Sequence, residues 1–307
     1  NGTASNHNFA TFNSATAGPR PMAVIAGRLA IGNQRNIATL DSDETTFNAT
    51  RLQLPIGYVV RSLELWNNFL AIAADFTPPS AGQPISSRLF LWNGTAATYT
   101  DSLELPFTSA PLLIANNNLL WIIGSDTAAN MAIYAFNGSA LQQAFFYPNC
   151  VPHGIGSRTR FQGNILFGTN GVTPTANGGV WMIGNADDPT TFMLSMMFIN
   201  SPANAAITNV AGLYGEANDL LAAWYDSTNY GIDQTSNAVF PTAGSQMDTL
   251  PIHCGAPTKN KTFYSIEVDL EDPGTSTGAT FEIQYKTNLA TTWTSLRTIR
   301  VTDDSLR

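Results

Sequence analysis

Lysine is almost missing from this sequence of 307 residues, and charge of either sign is scarce. The only lysines are Lys259, Lys261 and Lys286, charged residues make up 12% of the chain, and the formal net charge is -8. Proteins that bind nucleic acid or an anionic membrane surface use clustered lysine and arginine to neutralise phosphates. The composition therefore argues against both kinds of partner.

Long apolar runs and catalytic signatures are missing as well. No stretch approaches the roughly 18 consecutive apolar residues of a transmembrane helix, and the first residues do not resemble a secretory signal. With two cysteines and three histidines, the sequence contains neither a Gly-x-Ser-x-Gly elbow nor a His-Glu-x-x-His motif. We therefore predict a non-enzymatic protein with no catalytic residue, no cofactor and no metal site.

The sequence contains a pattern that repeats about every 45 residues: an apolar strand-like run, a tight turn and a second apolar run. Its five copies span 24–32, 63–72, 112–124, 159–168 and 210–224. In the second and third copies a further pair of runs meets at Asn93-Gly94 and Asn137-Gly138, a dipeptide typical of two-residue hairpin turns. Runs at 179–185 and 229–233 occupy the equivalent place in the fourth and fifth copies. Two hairpins in each repeat make one four-stranded blade of a β-propeller.

We therefore predict an all-β chain in three parts. Residues 21–245 form a β-propeller of about five blades, with six as the alternative count, and 1–20 supply a candidate closing strand. Near residue 245 the repeats give way to loop-like stretches with proline and glycine, followed by runs in which apolar and polar residues alternate. This change predicts a small antiparallel, β-sandwich-like module over 246–307, either packed on the propeller or truncated. The alternative is a single sandwich or barrel, because these folds also contain short strands separated by glycine and asparagine.

The C-terminal module also resembles a known family. Its runs at 261–268, 279–288 and 292–296, together with the blade segments 135–138 and 160–168, resemble the propeller and following β-sandwich of tail and other virion structural proteins of tailed bacteriophages. The resemblance implies a virion location, assembly with copies of itself and other virion proteins, and contact with a host receptor or glycan. It supplies no catalytic motif.

Two functional alternatives stay open beside this one. Propeller glycosidases use two or three carboxylates at the central axis, and Asp75, Asp126, Asp219 and Asp226 lie near blade strands. Scattered acids at strand ends more often form turns, so a secreted, glycoside-hydrolase-like propeller is the less favoured interpretation. Sugar binding through aromatic side chains is the second alternative, because a tryptophan recurs about once in each repeat: Trp66, Trp92, Trp121, Trp181 and Trp224. Tryptophans flanked by apolar residues in a strand, however, usually pack in a core.

The two cysteines and neighbouring histidines allow three interpretations. Cys150 precedes His153 by three residues, and His253 directly precedes Cys254. Two buried thiols are favoured over a disulfide, and a disulfide over a Cys2His2 zinc site, because the spacing matches no recognised zinc motif. The acidic segments 41–44 and 187–188 lack the spacing of a calcium loop and are interpreted as turns.

Overall fold

The chain folds into strands joined by loops. The computed structural model describes residues 20–43, 46–77, 85–116, 118–171, 178–185, 192–198, 209–216, 219–226, 229–234, 247–248, 280–285 and 294–300, and these ranges contain no helix. Accordingly, within the described residues no helix has the length and hydrophobicity needed to span a membrane. The chain divides into two compact units, Asn1–Leu250 and Pro251–Arg307.

Each of the first three repeats forms one four-stranded antiparallel sheet whose strands follow chain order. The first blade consists of β1 (Met22–Ile25), β2 (Arg28–Asn33), β3 (Asn36–Leu40) and β4 (Phe47–Gln53). The second consists of β5 (Tyr58–Trp66), β6 (Phe69–Phe76), β7 (Ser86–Trp92) and β8 (Asp101–Leu105). The third consists of β9 (Ser109–Asn116), β10 (Leu119–Ser125), β11 (Met131–Phe136) and β12 (Leu141–Tyr147).

The fourth and fifth repeats share one sheet. The fourth blade contains β14 (Arg158–Phe161), β15 (Asn164–Gly171), β16 (Val180–Asn185) and β17 (Phe192–Phe198), with β13 (Cys150–Pro152) paired to β15 and β21 (Met247–Asp248) paired to β17. The fifth blade contains β18 (Asn209–Glu216), β19 (Asp219–Tyr225) and β20 (Tyr230–Gln234). A bridge between Asn170 and Asn209 joins the two blades. The proposed closing strand in 1–20 lies outside the described residues, apart from Arg20.

The packing between these sheets is that of a β-propeller. Four apolar clusters fill the spaces between the five successive blades: one between the first and second, one between the second and third, and so on to the fifth. On β6, Ile72 belongs to the cluster shared with the first blade, while Ala71 and Ala73 belong to the cluster shared with the third. Because successive side chains of a strand point to opposite faces, a strand between two neighbouring blades buries both sets. This is why the inner strands have continuous apolar sequences.

The tight turns lie within the inner hairpins rather than the outer ones. Ala26-Gly27, Asn67-Asn68 and Gln162-Gly163 have positive φ at both positions, as a type I′ turn requires. At the predicted outer Asn-Gly turns, only Gly94 and Gly138 have positive φ. The loops there are longer than the predicted two residues, spanning 93–100 and 137–140.

The asparagine side chain explains this difference. Asn93 Oδ1 accepts hydrogen bonds from the backbone amides of Thr95 (3.0 Å) and Ala96 (2.8 Å). Asn137 Oδ1 does the same for Ser139 (3.0 Å) and Ala140 (2.9 Å). An asparagine that caps the next backbone amides forms an Asx-type turn, so the dipeptide marks the loop correctly but gives it a different geometry.

In the second unit, the described strands are β22 (Thr280–Tyr285) and β23 (Thr294–Arg300), which pair antiparallel. β22 lies within the run at 279–288, and β23 overlaps the run at 292–296 and extends beyond it. The run at 261–268 lies outside the described residues.

Candidate functional site

First strands of the second and fourth blades contribute side chains to a charged cluster at the inner side of the propeller. β5 packs between β1 and β9, and β14 packs against β18, which is the arrangement of innermost strands around a propeller axis. Three charged side chains meet here: Glu64 from β5, and Arg158 and Arg160 from β14. We call these three residues the axial cluster.

Glu64 is the centre of the axial cluster. Its Oε1 accepts from Arg160 Nη2 (2.5 Å) and from the backbone amide of Ala115 on β9 (3.1 Å). Its Oε2 lies 3.1 Å from Arg158 Nη2. The arginines also donate to the backbone, Arg158 Nη2 to Leu63 O and Arg160 Nε to Ala115 O, each at 2.8 Å. The cluster therefore links the second, third and fourth blades.

The electrostatics of the axial cluster are those of a partly buried ion pair. Burial lowers the pKa of the Arg158 guanidinium, while the charge of Glu64 opposes that shift and Arg160 adds to it. Arginine nevertheless stays protonated in proteins, so two cations share one carboxylate. Removing one partner from such a group leaves a poorly solvated charge. The geometry thus serves to hold three blades together.

Sequence reasoning did not identify the axial cluster. Arg158 and Arg160 are more than ninety residues from Glu64 in the chain, so no local spacing connects them. The available signal was a charged residue within an apolar strand, Glu64 between Leu63 and Leu65. Such a residue needs a partner when its strand is packed on both faces.

Asp75 is the most completely engaged of the four acids considered for catalysis. It lies near the end of β6 and is 4% exposed. Its Oδ1 accepts from Ser87 Oγ (2.8 Å) and the Ala110 amide (3.0 Å). Its Oδ2 accepts from Ser109 Oγ (2.8 Å) and Arg61 Nε (2.9 Å). Asp75 therefore connects the second blade to the third.

Asp126 and Asp226 fold the loops that follow the second strands of their blades. Asp126 Oδ1 accepts from the amides of Ala128 (2.8 Å) and Asn130 (2.9 Å), and Oδ2 from Asn130 Nδ2. Asp226 accepts from both the amide and the side chain of Asn229. Burial acts to raise the pKa of Asp126, whereas its hydrogen bonds with Asn130 and Ala128 act to lower it. The net result is a pKa below the ordinary value of an aspartate. These contacts identify both acids as loop caps.

Asp219, the fourth of these acids, is exposed on β19 and accepts from Gln234 Nε2 on the neighbouring strand. The four acids thus lie on second strands or directly after them rather than among the axial residues. Asp75, Asp126 and Asp226 lie at or directly after the end of a second strand, whereas Asp219 begins β19.

The Cys150 and His153 side chains lie near the connection between the third and fourth blades. Burial raises the pKa of the Cys150 thiol to about 12, against the effect of a hydrogen bond with Thr169. Burial lowers the pKa of His153, whose Nδ1 is buried and has no hydrogen-bond partner among the described residues. His253 and Cys254 lie outside the described residues, and the described part of the chain contains no group of three or more potential metal ligands.

Of the acidic segment 41–44, which the sequence predicts to be a turn, residues 41–43 are described. Asp43 accepts from the amide (2.9 Å) and hydroxyl (2.8 Å) of Thr46, and Asp41 pairs with Arg28 at 2.6 Å. The second acidic pair, Asp187-Asp188, lies outside the described residues.

Four of the five tryptophans considered for sugar binding belong to the core, as the sequence favours, and Trp224 is half-buried. Trp92, Trp121 and Trp181 are at most 1% exposed, and Trp66 is 5% exposed. The indole of Trp224 donates to Asp233 Oδ1 at 2.8 Å. None of these rings forms a flat exposed platform for a sugar.

A groove of about 310 Å³ opens at the end of the propeller that carries the inner-hairpin turns. It lies between the second and third blades, and we call it the turn-end groove. Its lining combines aromatic, amide and acidic groups: Trp66, Asn67, Phe69, Leu91, Thr100, Asp101, Asn137 and Gly138.

Comparison with known proteins gives structural likenesses alone. No family model matches this chain. No curated protein matches it either.

Among solved structures, the extracellular domain of a hybrid two component system from B. thetaiotaomicron is 16% identical, with a TM-score of 0.45 over 72% of this chain and 28% of that one. An exo-beta-1,3-galactanase from Phanerochaete chrysosporium is 10% identical, with a TM-score of 0.43 over 67% of this chain and 55% of that one. A neuraminidase-like protein from a little yellow-shouldered bat isolate is 11% identical, with a TM-score of 0.34 over 69% of this chain and 78% of that one. The propeller assignment rests on the sheets and cores of the chain itself.

Proposed function

We propose that this chain is a non-enzymatic structural protein of a bacteriophage virion, a component of the tail, a fibre or the particle surface. It assembles there with copies of itself and with other virion proteins, and it contacts the host. The observation that carries the proposal is the use of the charged residues. Glu64 and the buried or loop-capping acids accept hydrogen bonds that hold blades and loops in place.

The chemistry of a propeller glycosidase needs a different arrangement. One carboxylic acid must reach the leaving oxygen, and a second carboxylate must face the sugar ring. The two carboxyl groups lie about 5 to 9.5 Å from each other. Asp75 already accepts from four donors within the protein. Glu64 accepts from two arginines and a backbone amide. Neither group is placed to exchange a proton with a substrate, which supports a scaffold role.

The surface composition supports a particle component in a second way. Charged residues make up 12% of the chain, about half the usual share of a globular domain. A surface covered mainly by neutral polar groups lowers the cost of desolvation when identical copies pack together. The resemblance of the C-terminal runs to virion proteins points in the same direction.

Particle fractionation tests the proposal. Lysate from the cells that produce the chain is sedimented through a density gradient, and each fraction is probed with an antibody against the chain. We expect the chain to co-sediment with particles that contain nucleic acid, and to remain there after a wash in high salt. Recovery of the chain only in the slow-sedimenting soluble fractions would contradict the proposal.

The second candidate is a secreted propeller that binds or cleaves sugars, and the turn-end groove is the observation that favours it. Incubation of the chain with β-linked polysaccharides, followed by an assay for new reducing ends, separates the two candidates. The structural role predicts no release above a heat-denatured sample. Turnover that disappears in Asp101→Asn would instead assign an enzymatic role to the turn-end groove.

A further inference from the structure

The turn-end groove has a lining that is divided by chemistry. Phe69 and Leu91 are half-buried and contribute apolar surface, and the Trp66 ring forms part of the wall. Asn67, Thr100, Asp101 and Asn137 are exposed at the rim. A cavity with a mostly apolar wall and a few placed polar groups is the usual form of a small-ligand site.

A glycine keeps one wall of the groove open. Gly138 has a φ of +101°, and a Cβ at this position would lie 3.2 Å from Cη2 of Trp66. The Trp66 indole nitrogen donates to Asn118 O at 3.0 Å, which fixes the ring, and the ring packs against Phe136 with centroids 5.3 Å apart. The ring edge is therefore held in place at the groove without a side chain over it.

The polar groups of the rim are also fixed by the protein. Asn137 Oδ1 accepts from the amides of Ser139 and Ala140, so its amide NH2 is the part that remains to donate. Asp101 Oδ1 accepts from the Ser102 amide at 2.7 Å, which holds its carboxylate. The rim thus offers an ordered donor and an ordered acceptor.

The charge of the lining selects among ligands. Among the described residues that line the groove, Asp101 is the single charged one, and none is a lysine, arginine or histidine. An anionic ligand would face this carboxylate in a chain whose net charge is already -8. A neutral sugar fits, because its hydroxyls donate and accept hydrogen bonds and its C–H groups contact the apolar wall.

We infer that the turn-end groove binds a neutral oligosaccharide, through hydroxyl contacts to Asn67, Asp101 and Asn137 and apolar contacts to Phe69 and Trp66. This inference rests on the host-contact part of the proposed function and assigns it a ligand class. Sialylated and uronic-acid glycans carry a negative charge, and the Asp101 carboxylate disfavours their binding.

A glycan array tests the inference with the full chain. The array carries neutral oligosaccharides of glucose, galactose and N-acetylhexosamines beside sialylated forms of the same chains. We expect binding to a subset of the neutral forms and weaker binding to their sialylated counterparts. Absence of neutral binding, or equal binding of the charged forms, would overturn the inference.

Two neighbouring asparagines give a matched pair of variants. Asn67 and Asn68 form the same turn, both with positive φ, but only Asn67 lines the groove. Glycine accepts this backbone geometry, so both Asn67→Gly and Asn68→Gly retain the turn. We expect Asn67→Gly to weaken the affinity for the bound neutral glycan about tenfold, the effect of losing one well-formed hydrogen bond, and Asn68→Gly to leave it unchanged.

Asp101→Asn supplies a second test that does not depend on the turn. The amide oxygen still accepts from Ser102, while the negative charge is removed. We expect weaker binding of the neutral glycan, since a carboxylate is the stronger acceptor for sugar hydroxyls. Unchanged binding in both Asn67→Gly and Asp101→Asn would place the glycan elsewhere and overturn the assignment. Particle fractionation is independent of this result, so the two proposals fail separately.

Discussion

The joint between the second and third blades and the joint between the fourth and fifth are built in different ways. At the first, Asp75 reaches across from β6 to Ser109 and the Ala110 amide on β9. At the second, Gly168 on β15 lies so close to Val210 on β18 that a Cβ would be 2.6 Å from the valine Cγ1. A buried carboxylate joins one pair of blades, and the absence of a side chain permits the other pair to approach.

This difference shows that a repeated architecture does not require a repeated contact. An apolar cluster fills the gap between each pair of consecutive blades, and this feature is shared by all four pairs. The additional contacts, a buried carboxylate at one joint and a glycine at the other, differ between the joints. We therefore expect the two joints to respond to different substitutions.

The largest effect is expected from Asp75→Ala. This change removes the shared acceptor of two hydroxyls, one backbone amide and Arg61. Leaving such buried donors unsatisfied is expected to cost about 3–5 kcal/mol of unfolding free energy, measured by urea denaturation. Asp219→Asn, at an exposed position with one side-chain partner, is the control and should change it by less than about 0.5 kcal/mol. An equal loss in both variants would show that Asp75 is not special.

A smaller effect is expected at the glycine joint. Gly168→Ala inserts a methyl group into contact with Val210, including its backbone oxygen at 2.7 Å. Overpacking of this kind costs about 1–3 kcal/mol, again measured by urea denaturation. Gly154→Ala is the matched control, because no atom lies within 4 Å of its Cβ position. If Gly168→Ala is as stable as Gly154→Ala, the close approach of the two blades is wrong.

The pH dependence of stability provides a finer test of the same region. His153 lies near this joint: its amide donates to Gly168 O at 3.0 Å and its ring contacts Tyr225 edge-on at 6.3 Å. Burial lowers its pKa below the ordinary 6.5, so the unfolded chain binds the proton at higher pH than the folded chain does. Its contribution to stability is complete above pH 6.5 and is lost as the pH falls through the folded pKa.

The expected result is a loss of stability on acidification that is smaller in His153→Gln than in the parent chain. Urea midpoints measured from pH 7.5 to 5 in both proteins check it, and the difference between them removes the contributions of His7 and His253. Parallel curves for the two proteins would show that His153 titrates alike in the folded and unfolded chains.

The smallest perturbation is chemical. Because the pKa of Cys150 is raised to about 12, only about one thiol in ten thousand is ionised at pH 8. In a Cys254→Ser background, we expect iodoacetamide to leave the folded chain unmodified and to react after unfolding in urea. Rapid labelling of the folded chain would mean that the core between the third and fourth blades opens readily.

Much of the propeller could be predicted from the sequence, because the second strands of the first four blades, β2, β6, β10 and β15, are buried on both faces and so have continuous apolar sequences. The five copies of the repeated pattern correspond to the first two strands of each blade. The outer loops were less accessible: Asn93 and Asn137 mark turns, but their side chains cap backbone amides. The sequence pattern alone does not distinguish an Asx turn from a type I′ turn.

The candidate sites were harder to predict because they depend on distant parts of the chain. Arg160 meets Glu64 across 96 positions, and the turn-end groove forms from two blades. Such contacts follow from the order and spacing of complete blades. The acids Asp75, Asp126 and Asp226 were noticed as residues, but their scaffold role became clear only from their donors.

We propose that this propeller is a building element of a virus particle. Electron microscopy of particles from the native source, with the chain located by antibody labelling or by its density, tests it most directly. We predict symmetric copies of the propeller in the tail, a fibre or the particle surface. Particles that lack this density, in a source where the chain is found as a free monomer, would contradict the claim.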